Sequence, residues 1–332
     1  MQTLTYSAIR TFLECPRRYL LRYLMNLVPL APTPHPLHFG ALFHRAIAKL
    51  YETCQPKPAL ELINSFPDAT AYDRISLYVM LSAYADRYIS EFAPTHQPQI
   101  ERIFRLPLVN PLTGRTSRSF LLSGKTDMVT DSTLWEHKTS ASINGRLLDT
   151  LWTDFQIRFY CSCLRQTGIP IDRILYNLVL KPPIRWRKGE TPDQFESRLN
   201  RIYRGKETNT KGEPYECFVR HQILFDAQLD RDIQLHTWQA AASILANHWE
   251  EHRHLPPKTI DHIPEHRRLI TTPAWAQNPM SCRRRAYSDC PYLNLCSSRY
   301  NPAVLDNDYT YEEPHQELKH TGELNEPDHA PF

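Results

Sequence analysis

The chain has 332 residues, 41% of them hydrophobic, enough for one large domain or two small ones around a sizeable core. No apolar run is long enough to span a bilayer, and the N-terminus has no basic flank followed by an apolar stretch. A membrane or secreted protein is therefore disfavoured, and an intracellular, cytoplasmic location is expected. The net charge of +3 divides unevenly: residues 301–332 hold eight Asp and Glu against one Lys, leaving 38 Lys and Arg against 28 Asp and Glu before them, a basic body suited to a polyanion.

In chain order, residues 6–26 predict a helix with Ser7 as N-cap, interrupted early by Pro16. Residues 28–38 are proline-rich and predict a loop. Helices are expected over about Phe39–Tyr51, with Phe39, Phe43, Ile47 and Leu50 on one side, and over Ala71–Phe92. Ile103, Phe104, Leu106 and Leu108 indicate a strand, and residues 119–130 and 133–139 a hairpin turning at Asp131-Ser132. A helix over 146–167 ends at Gly168, and residues 171–181, with Ile174, Leu175, Tyr176, Leu178, Val179 and Leu180, read as a buried strand. A helix around 192–204, a short strand near 216–224 and a long helix over 226–252 follow. Residues 272–300 are loop-rich, and disorder is expected beyond 300. This order indicates an α/β domain, a small central sheet flanked by helices.

The chemistry concentrates in the hairpin. Strand alternation points Leu134, Glu136 and Lys138 one way and Trp135 and His137 the other. Asp127, on the neighbouring strand, can approach Glu136 across the hairpin. Two carboxylates suit Mg²⁺ or Mn²⁺, and a lysine beside them can orient a nucleophile or neutralise developing charge. A surface Glu/Lys pair would look the same, so the spacing alone is weak. Gly124-Lys125-Thr126 is like the end of a phosphate-binding loop, but Ser119 stands where that motif needs glycine.

Four segments in order make the pattern specific: Gly40-Ala41-Leu42-Phe43-His44, Gly124-Lys125-Thr126-Asp127, Glu136-His137-Lys138 and Gln156-Ile157-Arg158-Phe159-Tyr160. Together they resemble the G-x-x-x-H, G-x-x-D, E-x-K and Q-x-x-x-Y motifs of the RecB-like branch of the PD-(D/E)XK nuclease superfamily, which includes the CRISPR-associated and AddB-type iron–sulfur exonucleases. The resemblance covers most of residues 1–300. It implies a restriction-endonuclease-like core, with Asp127 and Glu136 holding Mg²⁺ or Mn²⁺, His44 assisting and Lys138 supporting the nucleophile. Gln156 and Tyr160, four apart on one helical face, would contact DNA. His137 departs from the apolar or aromatic residue usual between the acid and the lysine, and suggests a half-buried face.

Eight cysteines in an intracellular chain should stay reduced, and clustered ones suggest metal ligation. One near the start, Cys15, and three near the end, Cys282, Cys290 and Cys296, resemble the iron–sulfur layout of that branch and imply a [4Fe–4S] cluster joining the two ends. Seven residues between Cys282 and Cys290, where two are usual, leave a Zn²⁺ site or free thiols as alternatives. Cys54, Cys161, Cys163 and Cys217 read as structural. The basic run Arg185–Lys188, with Arg198, Arg201, Arg204, Lys206 and Arg283–Arg285, suggests a DNA groove in which Trp186 or Tyr203 could stack on bases.

The expectation is a nuclease domain over 1–300 and an acidic, disordered tail over 301–332. It would be a metal-dependent deoxyribonuclease, an exonuclease on single-stranded DNA ends, working in repair, recombination, CRISPR adaptation or phage replication. The chain has no helicase motifs, so a helicase or recombination partner would do any unwinding. A non-catalytic nucleic-acid-binding subunit and a zinc-stapled interaction protein are the alternatives.

Overall fold

Strand-forming residues crowd between Ile103 and Leu224, and the computed structural model arranges most of them in two sheets belonging to different units of the chain. It describes residues 1–30, 35–92, 98–254, 273–283 and 289–319. One unit, here the terminal unit, comprises residues 1–32, 105–125 and 234–332; the other, the inner unit, comprises 33–104 and 126–233.

The first elements are β1 (Gln2–Leu4), α1 (Tyr6–Glu14), α2 (Pro16–Tyr19), β2 (Leu27–Pro29), α3 (His35–Thr53), α4 (Pro56–Asn64) and α5 (Ala71–Arg87). Next come β3 (Gln99–Ile100), β4 (Ile103–Val109), β5 (Thr116–Lys125), β6 (Met128–Thr130), β7 (Thr133–Ser140), α6 (Gly145–Leu151) and α7 (Phe155–Gln166). The chain continues through β8 (Arg173–Leu180), α8 (Pro192–Tyr203), β9 (Phe218–Leu224), α9 (Ala227–His254), α10 (Leu293–Ser297), α11 (Pro302–Asp308) and β10 (Tyr309–Tyr311).

The inner unit is built on a mixed five-stranded sheet, order β3-β6-β7-β8-β9. Only β7 and β8 run parallel, in register from Thr133 opposite Arg173 to Ser140 opposite Leu180. A parallel pair needs a crossover, and α6 and α7 supply it. β8 is buried from Tyr176 to Leu180, as a strand covered on both faces must be. Phe43, Ile47, Leu50, Leu77, Met80, Tyr84, Phe195 and Leu199 from α3, α5 and α8 join one core with Met128 and Val179 of the sheet. Side chains start these helices. Thr70 and Asp73 form a reciprocal capping box at α5, and Thr191 and Gln194 another at α8, where Pro192 takes the position that needs no N–H.

In the terminal unit β1 lies parallel to β5, which also borders β4, and β2 pairs antiparallel with β10. Its core centres on Trp275, fully buried and stacked on Tyr19 at 5.9 Å, with the Phe12 ring edge-on at 6.5 Å.

Several expectations change. The helix over 6–26 divides at Cys15, whose extended backbone (φ −164°) precedes Pro16, and ends in a π turn over Leu20–Leu24. Helix α4 was not foreseen, and α3 begins at His35, inside the expected loop; residues 31–34 of that loop lie outside the described residues. The strand read as 119–130 breaks at Thr126-Asp127, where the chain bonds instead to 101–102: Thr126 N donates to Arg102 O at 2.9 Å and Glu101 N to Asp127 O at 2.9 Å. Asp127 thus sits in a bend rather than on a strand. The helix over 146–167 is two helices, α6 and α7, separated by Trp152–Asp154. The disorder expected beyond 300 gives way to α11 and β10, because Tyr309 is buried, stacks on Tyr292 at 5.7 Å and continues into pairing with β2. Residues 320–332 of the acidic tail lie outside the described residues.

Candidate active site

Three elements of the inner unit meet at the predicted residues. Helix α3 packs against β7 and brings His44 there. Gly40, one turn earlier, faces Thr139 of β7; an added Cβ would meet its Oγ1 at 3.7 Å, an ordinary contact, so close approach alone does not demand glycine. The bend before β6 delivers Asp127, whose Oδ1 lies 3.3 Å from His44 Nδ1 and whose Oδ2 accepts the His137 backbone N–H at 2.8 Å. On β7, Glu136 and Lys138 share a face as alternation requires, Oε1 to Nζ 3.8 Å.

His137 points the other way but is not half-buried as expected: it is 3% exposed, stacked on Tyr51 at 5.5 Å, with Nδ1 2.8 Å from the Asn177 amide. Burial lowers its pKa to about 4 against the pull of Asp127, so it is a neutral packing group at ordinary pH.

Burial is the largest single influence on each of the other groups, but only Glu136 follows it. It raises the Glu136 carboxyl well above the ordinary value, and the neighbouring Asp127 charge adds to this, with Lys138 only partly offsetting it. Asp127 goes the other way: burial would raise it, but the charge and hydrogen bond of His44, with the hydrogen bond from the His137 backbone N–H, hold it below the usual carboxylate range. His44 is the mirror image, burial working against its charge and Asp127 overcoming that to raise its pKa. Lys138 is opposed by burial and raised on balance by Glu136 and Asp154. Two carboxyls with their affinities for protons pushed apart are common at catalytic centres.

Asp154 was not singled out in the sequence. It forms an ion pair with Lys138 through Oδ2, while its Oδ1 accepts the Gln156 N–H at 3.1 Å and so caps α7. The Lys138 ammonium also lies over the Tyr176 ring, 5.2 Å from its centre. The available signal was local: an aspartate two residues before Gln156, opening a helix. Gln156 and Tyr160 lie together as the four-residue spacing requires, Nε2 donating to the phenol oxygen at 3.3 Å, and Phe104 packs edge-on against Tyr160 at 5.5 Å.

The sequence matches the profile of the PD-(D/E)XK nuclease superfamily over residues 3–297. The chain belongs to that superfamily. For a PD-(D/E)XK nuclease the implied activity is phosphodiester hydrolysis and the implied partner a nucleic acid. The mixed α/β architecture with its small sheets accords with this membership. No curated protein matches the chain. Among solved structures, the chain titled "Crystal structure of SSO0001" is similar over 76% of this chain and 82% of its own, 14% identical, with a TM-score of 0.30; so distant a superposition transfers neither fold nor function.

PD-(D/E)XK nucleases generally use Mg²⁺ or Mn²⁺. Two carboxylates and an imidazole fit such an ion by donor chemistry. As they stand, however, no three His, Cys, Asp or Glu side chains among the described residues are grouped to hold a metal. At Asp127, His44 engages one oxygen and a backbone N–H the other.

The four predicted cluster cysteines all lie in the terminal unit, and hydrogen bonds connect three of them, but they form no metal-holding group as they stand. Asn278 bridges two of them: its N–H donates to Cys15 Sγ at 3.3 Å and its carbonyl accepts from Cys282 Sγ at 3.6 Å. Cys290 N donates to Cys282 O at 2.8 Å, and Tyr300 OH lies 3.5 Å from Cys296 Sγ. Burial raises the Cys290 and Cys296 thiols. The donor set suits iron–sulfur or zinc equally. Cys161, Cys163 and Cys217 are buried in the inner unit, as structural thiols should be, while Cys54 is only half-buried.

The basic groove changes character. Trp186 is stacked on Phe195 at 5.2 Å and Tyr203 is buried with its hydroxyl on Leu180 O, so neither is free to stack on a base. Arg198 pairs with Glu190, Arg201 with Glu207 and Arg204 with Asp86. Arg284 and Arg285 lie outside the described residues. No helix among the described residues is long and apolar enough to cross a membrane.

Proposed function

We propose that the chain is a Mg²⁺- or Mn²⁺-dependent deoxyribonuclease of the RecB-like, iron–sulfur branch, acting as an exonuclease on single-stranded DNA ends. The observation that carries the reading is the convergence of His44, Asp127, Glu136 and Lys138, from a helix, a bend and a strand, around the buried Glu136 carboxyl and the half-buried Asp127 carboxyl. Asp127, Glu136 and His44 would hold the cation. When bound, it would polarise the scissile phosphate and acidify a water. Lys138 stays charged because Glu136 and Asp154 favour its ammonium, and from that position it neutralises charge developing on the phosphate or orients the attacking water. Gln156 and Tyr160 supply an amide and a phenol to the strand. Cys15, Cys282, Cys290 and Cys296 would bind a [4Fe–4S] cluster as a structural staple, with Zn²⁺ the competing ion. Work with a helicase in repair, recombination, CRISPR adaptation or phage replication suits such an activity.

The test is cleavage of end-labelled single- and double-stranded DNA with Mg²⁺ or Mn²⁺. Asp127→Ala and Lys138→Ala should each cut at least about 100-fold more slowly while keeping the wild-type circular dichroism spectrum. Wild-type activity in either variant would end the assignment.

A further inference from the structure

The break between α6 and α7 leaves a large aromatic ring in solvent two residues before Asp154, the partner of Lys138. Trp152 is 51% exposed, and Arg158 of α7 lays its guanidinium over the indole, 5.3 Å from the ring centre. Arg158 is also incompletely satisfied. Its Nη2 is buried yet has no hydrogen-bond partner among the described residues, an arrangement that is costly unless something else accepts from it. Arg158 follows Asp154 by four residues, so the two share a face of α7, and Asp154 already holds the catalytic lysine. A phosphate oxygen is the acceptor a guanidinium suits best, and an indole half in water offers a surface to a flat apolar partner. A nucleotide carries both groups, joined through its sugar.

We propose that Trp152 and Arg158 form a subsite for one unpaired nucleotide of the substrate strand, the indole stacking its base and the half-buried Arg158 guanidinium, turned so that Nη2 leaves its buried seat, binding the adjoining phosphate. The proposal rests on the nuclease reading above and gives its single-strand preference a physical source. Bases within a duplex have their faces occupied by their neighbours, whereas an unpaired base can leave the stack for an aromatic side chain.

Steady-state cleavage of a single-stranded oligonucleotide with Mg²⁺ or Mn²⁺ tests it. Trp152→Ala should raise KM about tenfold or more with kcat little changed, and Trp152→Phe should restore most of the loss. Arg158→Ala should also raise KM and reduce the slope of log affinity against log salt by about one contact. A series of oligonucleotides, each with one abasic site, should show one position at which the wild type loses as much as Trp152→Ala does, with no further loss in that variant. Trp249→Ala, which alters an exposed tryptophan of α9, is the control and should change nothing. Wild-type KM in Trp152→Ala and Arg158→Ala, or identical losses on duplex and single strand, would overturn the subsite. If the wild type cuts no DNA, the nuclease reading falls instead. Fluorescence anisotropy with the same labelled single strand then decides the subsite alone: weaker binding in both variants upholds it and unchanged binding removes it.

Discussion

The two carboxyls at the centre of the site hold protons very differently, and this has a measurable consequence. Glu136 keeps its proton to higher pH than an ordinary glutamate because it is buried beside Asp127, and His44 keeps its own because Asp127 outweighs burial. A cation binding to both must displace those protons. Affinity for Mn²⁺ should therefore strengthen as pH rises through these raised values, with proton release, in titration calorimetry over a pH series; a flat profile would contradict the arrangement. Asp127, held low, is already ionised across that range and adds no slope. Asp154→Asn separates two roles. Asparagine is as good a helix cap as aspartate, so the melting temperature should hardly move. The charge on Lys138's partner is lost, however, and kcat should fall by roughly one order of magnitude or more, with an altered basic limb in the pH–rate profile. The motif residues were legible because four segments recur in one order, and spacing settled only which of them share a face: residues two apart on a strand, residues four apart on a helix. Asp154 was not, since its partner lies 16 residues away and no local rule joins a helix cap to a strand lysine.

At the level of elements, long helices and buried strands were read close to their observed limits, while the breaks were missed. Apolar periodicity continues from α6 into α7, and only a cap, invisible to periodicity, divides them. Asp127 leaves its strand for a similar reason: the backbone bonds that bend the chain come from residues 101–102, which no reading of 119–130 includes. Tertiary packing likewise decided the terminal segment, where one buried tyrosine outweighs an acidic composition. Caps at the element ends carry real stability. Thr70 accepts the Asp73 N–H at 3.1 Å and its own N–H is held by the Asp73 carboxylate at 2.9 Å. Thr70→Ala should destabilise the protein by about 1 kcal/mol in urea unfolding, with an unchanged denaturant slope. No change in midpoint would show that the box contributes nothing.

Across the whole molecule, the terminal unit gathers residues from both ends of the chain, and a shared metal centre at Cys15, Cys282, Cys290 and Cys296 would fasten them. Protein purified without oxygen should carry iron and sulfide with broad visible absorbance, and Cys296→Ser should lose both and melt at lower temperature. Zinc in place of iron would reassign the centre, and an unchanged melting temperature would remove its structural role. The pairing of Leu27–Pro29 with Tyr309–Tyr311 carries a consequence for biosynthesis. The first of these strands leaves the ribosome about 280 residues ahead of its partner, roughly 15 to 60 seconds at ordinary elongation rates. Through that interval Val28 and its neighbours are an unmatched edge in a crowded cell, so nascent chains stalled before residue 309 should be strong clients for chaperones.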